Sequence, residues 1–270
     1  MRYVMRVAVL ALAVAGVLMS ATTAMAATAP GYEEFDDCPG RNVNADISLC
    51  AVTKVSGGHL KMGSKTVPIT DPITLAESVA PPAQVFVGRF DGGRQVVPGG
   101  LVGITGLNWL VNLFPANLLK VYARSELAGT PSNPIQDPVY LPLKVRLENP
   151  LLSSSCYVGS NSDPIALNLT QHATNPPPPN QPINGTPGNL VADPVLPNVV
   201  RLEDAVVVDN AFAAPRARGC TLLLPGLGLI DPIVNLQSGL PSPAGTNEAR
   251  QNVDLGLADI QSVYAPDGFE

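Results

Sequence analysis

The chain predicts an all-β fold, an antiparallel β-sandwich-like domain with Pro-rich loops and room for one short helix. Three observations carry that expectation. Twenty-eight Pro and 24 Gly punctuate the 270 residues, a density that interrupts long helices and favours short strands joined by turns. Two segments alternate strictly: Leu119, Val121, Ala123, Ser125 and Leu127 oppose Lys120, Tyr122, Arg124 and Glu126, while Leu143, Val145 and Leu147 oppose Lys144, Arg146 and Glu148. Strand side chains project with period two, so each segment buries one face and wets the other, as antiparallel sheets do. Finally, 46% of the chain is hydrophobic, enough for a sizeable core.

The first 26 residues read as a cleavable signal peptide. Arg2 and Arg6 form a positive start, Val7 to Met19 is apolar, and Ala24-Met25-Ala26 offers small residues to a signal peptidase, with the cut expected after Ala26. The apolar run of 13 residues is short for a bilayer, which takes about 20. Residues 27–270 then form a single secreted β-rich domain, with no stable transmembrane segment after cleavage. No Cys follows the cut, which argues against a lipoprotein anchor.

Ala27 to Asp37 is an acidic lead-in, read as a solvated terminus. Ile47 to Val55 is expected to be extended, with a turn at Gly57-Gly58. Lys65 to Ile69 reads as a short strand stopped by Pro68, and Ile73 to Leu75 begins another. Ala83 to Phe90 runs into Asp91-Gly92-Gly93, which predicts a hairpin turn. Further strands are read at Cys156 to Gly159, Ile165 to Thr170, Val199 to Glu203 and Ala205 to Asp209. Residues 173–189 form a Pro-rich loop in which Pro176 to Pro179 favours an extended polyproline form, read as a rigid surface crossing. In the tail, Asn247 to Tyr264, the spacing of Val253, Leu257 and Ile260 is weakly helical and Gly256 weakens it further. Helix and strand both remain open there.

The cysteines are Cys38, Cys50, Cys156 and Cys220. Export permits disulfides, and four cysteines allow three pairings. Cys38–Cys50 and Cys156–Cys220 are favoured because each pair flanks a similar local context. Loop entropy would make these bridges worth about 3 and about 4 kcal/mol. The close Cys-x-x-Cys spacing of a zinc site is absent, so no metal is expected.

The net charge of −6 and the lack of a basic stripe disfavour nucleic acid, whose phosphates require neutralisation. No charged residue occurs from Gln95 to Leu119. Within that stretch Leu107, Trp109, Leu110 and Phe114 form a candidate apolar binding surface. Buried core comes first among its readings, then a surface for an apolar ligand or cell-envelope partner, then membrane contact. Glycines and prolines, among them Pro98, Gly100, Gly103 and Pro115, oppose a spanning helix.

No catalytic residues are assigned. His59 and His172 are the two histidines, and no Ser lies in a Gly-x-Ser-x-Gly elbow. Asp36, Asp163, Glu203 and Asp209 would serve a glycosidase only if the fold brought two of them together. No phosphate-binding glycine loop and no calcium loop is present, and no cofactor is expected.

Several phrases resemble those of an uncharacterised family of secreted proteins from high-GC Gram-positive (actinobacterial) bacteria. They are Phe35-Asp36-Asp37-Cys38-Pro39, Val67-Pro68-Ile69, Cys156-Tyr157-Val158-Gly159-Ser160 with Pro164-Ile165, and Asn168-Leu169-Thr170. Val208-Asp209-Asn210-Ala211-Phe212, Gly219-Cys220 and Gly239-Leu240-Pro241-Ser242-Pro243-Ala244-Gly245 complete the set. The resemblance implies a structural role for Cys156 and Cys220 and transfers no catalytic residue. The expectation is a secreted or cell-surface protein with a noncatalytic binding or structural role in the bacterial envelope. The alternative is a secreted hydrolase whose acid- or Ser/His-based site forms only in the fold.

Overall fold

The computed structural model describes residues 28–100, 119–221 and 230–264. The leader 1–26 and the apolar residues Leu107 to Phe114 lie outside them. The domain is all-β, with twelve strands in one antiparallel sheet. These are β1 (Leu49–Met62), β2 (Lys65–Pro68), β3 (Ile73–Ala80), β4 (Gln84–Val97), β5 (Val121–Leu127), β6 (Val139–Glu148), β7 (Tyr157–Val158), β8 (Ile165–Leu169), β9 (Asn189–Ala192), β10 (Val199–Asp209), β11 (Ala217–Arg218) and β12 (Glu248–Asp259). Helix α1 spans Asp231–Ser238 and a single turn, α2, spans Ile260–Val263.

The strand order is β11-β7-β6-β5-β4-β3-β1-β12-β10-β9, with β2 on β1 and β8 on β6. The sheet then closes. Thr170, just past β8, and Val208 of β10 exchange backbone hydrogen bonds of 3.0 and 2.9 Å, and Thr186 bridges Val206 in the same way. β1, β3, β4, β5, β6, β8, β10 and β12 therefore form a closed ring, and the two layers of the sandwich are two halves of one sheet. Closure removes most of the open edge that an antiparallel sheet otherwise exposes.

Alternation decides what faces the interior. In β12, Ala249, Gln251, Val253 and Leu255 are buried, while Asn252 and Asp254 are exposed. On the outer face of β4–β6, charges pair with one another: Arg94 with Glu148 at 2.9 Å, Arg124 with Asp91 at 2.9 Å and Arg146 with Glu148 at 2.7 Å. The Arg94 guanidinium also sits 3.7 Å from the Tyr122 ring centre. One hydrophobic cluster lines the inside of the ring and continues to Phe212, Ile230 and Leu240. A second lies outside the sheet, where Tyr32, Phe35 and Ile47 pack with Ile260 and Val263. Cys38 is bonded to Cys50 beside that second cluster, and Cys156 is bonded to Cys220 across the segments flanking β7 and β11.

Several expectations are corrected. Gly57-Gly58 is not a turn; both lie inside β1, at a bulge against β12. Gly58 has φ +107°, and a Cβ there would meet the Arg250 carbonyl oxygen at 2.0 Å. Asp91-Gly92-Gly93 is not a hairpin turn either. β4 continues through it, leaving β3 and joining β5, and the β3–β4 turn is at residues 81–83. Val199 to Asp209 is one strand, interrupted by a bulge at Glu203-Asp204 where Asp204 has φ 57°.

The Pro-rich loop lies at the surface, with Pro177 to Pro179 exposed, but it doubles back instead of crossing in one extended run. Ala173 bridges Asn184, folding the loop back on itself. Asn180 anchors it by donating to the carbonyls of Asn210 and Asn247 at 2.9 and 2.7 Å. The tail is a strand to Asp259 followed by α2, and Gly256 gives the Phe35 ring room, at 3.3 Å from where a Cβ would stand. Helix α1 was not foreseen, although Pro232 at its start and Gly239 at its left-handed cap (φ 64°) are ordinary boundary signals.

Candidate functional site

The inward faces of the ring leave space between them. A cavity of about 360 Å³ opens inside the barrel, within the range of small-molecule sites. Its walls are largely aliphatic and aromatic, including Val55, Leu75, Phe90, Leu143, Val253 and Leu255. They arrive there because every second residue of β1, β3, β6 and β12 points inward. No Lys or Arg lines the cavity among the described residues.

Three polar side chains on its wall are buried, Glu77, Gln95 and Gln251, and the first two behave differently. Gln95 is satisfied: its Oε1 accepts from the Thr70 and Asp71 amides at 2.7 and 3.0 Å, and its Nε2 donates to the Asp71 carbonyl at 2.6 Å. Glu77 is not. It sits on β3 in the inward phase of Ile73, Leu75 and Val79, opposite Ala51 of β1 and Val87 of β4. It is 1% exposed, and its Oε2 has no hydrogen-bond partner. Loss of water around the carboxyl pushes its pKa up to about 8, so at neutral pH it is mainly an uncharged acid with one donor and acceptor capacity.

The mouth is mixed and partly open, with Pro134, Ile135 and Leu190 beside Gln136, Asp137, Gln171 and His172. Ile135, in the β5–β6 connection, and Leu190, on β9, both line the cavity while being 58% and 69% exposed. Beside them His172 Nε2 lies 3.2 Å from Asp137 Oδ2. The β5–β6 connection is held by paired bonds between Ser132 and Tyr140, 2.9 Å from the Ser132 amide to the Tyr140 carbonyl and 2.8 Å from the Tyr140 amide to the Ser132 hydroxyl.

The cysteines are structural, buried in disulfides. The candidate surface Leu107, Trp109, Leu110 and Phe114 lies outside the described residues. His59 pairs with Glu248 at 3.0 Å and His172 with Asp137, and neither ring is hydrogen-bonded to a Ser. Glu203 and Asp209 both lie on β10, Glu203 exposed at its bulge and Asp209 buried at its end, while Asp36 and Asp163 lie outside the strands, and no hydrogen bond joins any two of the four. Asp209 instead accepts from the amides of Asn168 and Ala211 at 2.7 and 2.8 Å. Among the described residues no group of three or more His, Cys, Asp or Glu side chains is placed to hold a metal ion, and no helix is long and apolar enough to cross a membrane.

Sequence reasoning missed the cavity and Glu77. The available signal was an acid in the apolar phase of a strand, Ile73-x-Leu75-x-Glu77-x-Val79. No protein-family model, no curated protein and no solved structure matches the chain. The class that fold and site define is thus a closed antiparallel β-barrel with an apolar interior cavity and two disulfides, bonds characteristic of an oxidising environment.

Proposed function

We propose that this is an exported, noncatalytic binding protein, secreted or held at the cell surface of an actinobacterium, that carries an apolar small molecule inside its barrel. The observation that carries the reading is the cavity of about 360 Å³, whose walls are mainly aliphatic and aromatic and whose mouth exposes Ile135 and Leu190. Well-packed interiors leave few voids larger than a water molecule, so space on this scale in the middle of a barrel calls for an occupant. The signal-like leader, the two disulfides and the resemblance to secreted actinobacterial proteins support the location.

Displacement of a neutral, environment-sensitive naphthylamine dye tests the binding. Native protein should take up the dye and release it to long-chain apolar competitors. Ala123→Phe, which fills the cavity from β5, should abolish uptake while the fold survives by circular dichroism. Uptake unchanged in a folded Ala123→Phe protein would refute the cavity as the site. Export is tested by Edman sequencing of protein recovered outside the cell, which should begin at Ala27; a start at Met1 overturns it.

A further inference from the structure

We infer that the ligand is a neutral amphiphile, an apolar body with a single hydroxyl or carbonyl head, and that the head seats on the Glu77 carboxyl inside the barrel. The inference rests on the cavity being the binding site and names the chemistry that the cavity selects.

Its basis is an unmatched polar atom in a chamber walled mainly by aliphatic and aromatic side chains. Glu77 is 1% exposed, and its Oε2 is buried without a partner. Buried polar side-chain atoms in folded proteins nearly always have a partner, because an unmade hydrogen bond away from water is costly. Gln95, lining the same cavity, follows that rule by bonding back to Thr70 and Asp71. The carboxyl of Glu77 is held by no such bond and lines the cavity. A ligand hydroxyl or carbonyl would complete it.

The surroundings also decide the charge of the head. A carboxylate or phosphate head seated on Glu77 would need a cation beside it; no Lys or Arg lines the cavity among the described residues, and His172, the one histidine that does, is paired with Asp137 at 3.2 Å. An ammonium head would require Glu77 to ionise, and burial opposes the ionised form. A neutral head avoids both costs. The volume sets the body: about 360 Å³ is the liquid volume of roughly twelve waters. A methylene is close to a water in size, so a medium-length chain fills it.

The test compares decane, 1-decanol, decylammonium and decanoate as competitors of the dye, on native protein, Glu77→Gln and Glu77→Leu. Native protein should bind 1-decanol about ten-fold more tightly than decane, the scale of one buried polar group gaining its partner. Both ionic competitors should be weaker than 1-decanol. Glu77→Gln, which keeps donor and acceptor, should retain the preference, and Glu77→Leu should bind decane and 1-decanol equally. Equal binding of decane and 1-decanol by native protein, or tighter binding of either ion, overturns the inference and leaves the cavity reading intact. Failure of all four to displace the dye refutes the cavity reading itself. The native comparison decides the matter even if Glu77→Leu fails to fold.

Discussion

Gly92 of β4 lies so close to Ser125 of β5 that a Cβ on Gly92 would stand 1.8 Å from the Ser125 carbonyl oxygen. This is where β4 leaves β3 and joins β5, and Gly93 beside it adopts φ +58°. The corner turns one half of the sheet onto the other and creates the chamber between them. Only a residue without a side chain allows the two backbones to approach there. Gly92→Ala should therefore destabilise the protein by about 3 kcal/mol or more. Chemical denaturation would show this as a lower midpoint; a midpoint within experimental error of native would contradict the close approach.

Glu77 makes stability depend on pH. The folded protein keeps its proton up to about pH 8, whereas the ordinary value is 4.5. Between those values the folded state binds more protons than the unfolded chain, so its stability falls as pH rises. Below that window both states are protonated and nothing is lost; above it the loss is complete. Glu77→Gln cannot ionise, so the variant should lack this component of the decline and be more stable than native by about 3 kcal/mol at pH 7. Denaturant melts at pH 5 and pH 8 check it. Asp209, also raised by burial, is present in both proteins and cancels in the difference. Parallel pH profiles for native and variant would count against a buried, unpaired Glu77.

The Cys156–Cys220 bridge closes a long loop, with a sequence separation of 64, that contains β8, the Pro-rich loop and β10. Replacing both cysteines by Ser should lower stability by about 4 kcal/mol on the loop-entropy scale. Removing Cys38–Cys50, with a separation of 12, should cost about 3 kcal/mol. Peptide mapping without reductant should recover these two pairs, and a Cys38–Cys156 peptide would refute the pairing.

Asn247 holds together three separate connections. It is fully buried; its Oδ1 accepts from the Gly63 amide at 3.0 Å, and its Nδ2 donates to the carbonyls of Phe212 and Pro243 at 2.9 and 3.1 Å. Asn247→Ala leaves those groups unmatched in a dry site and should cost about 3 kcal/mol. Asn247→Asp keeps the acceptor for Gly63 but turns an oxygen towards two carbonyls, so it should not rescue stability. A native-like melt for Asn247→Asp would show that the donor bonds contribute little.

The strands most legible in the sequence were those whose neighbours on both faces differ sharply. β5 and β6 alternate apolar and charged residues because one face lines the barrel and the other carries the Arg94–Glu148 and Arg146–Glu148 pairs. β3 was harder to read, since six of its eight residues are buried and both faces are covered. In that setting Glu77 looks like any solvated acid. The glycines misled for a related reason. Gly58 and Gly92 resemble turn residues locally, but each exists to admit a carbonyl from a strand distant in sequence, that of Arg250 and of Ser125.

What the sequence by itself determined is the β class and the inward or outward phase of its clearest strands, since period-two alternation is a property of each segment alone. The tertiary structure decided everything that depends on which segments meet. Thr170 meets Val208 and closes the ring, Gly92 meets Ser125 and folds the sheet, and Asn247 ties the connections. Those contacts place Glu77 on an apolar cavity wall without a partner. Burial and hydrogen-bond satisfaction are properties of an environment assembled from distant strands, and no local pattern records them.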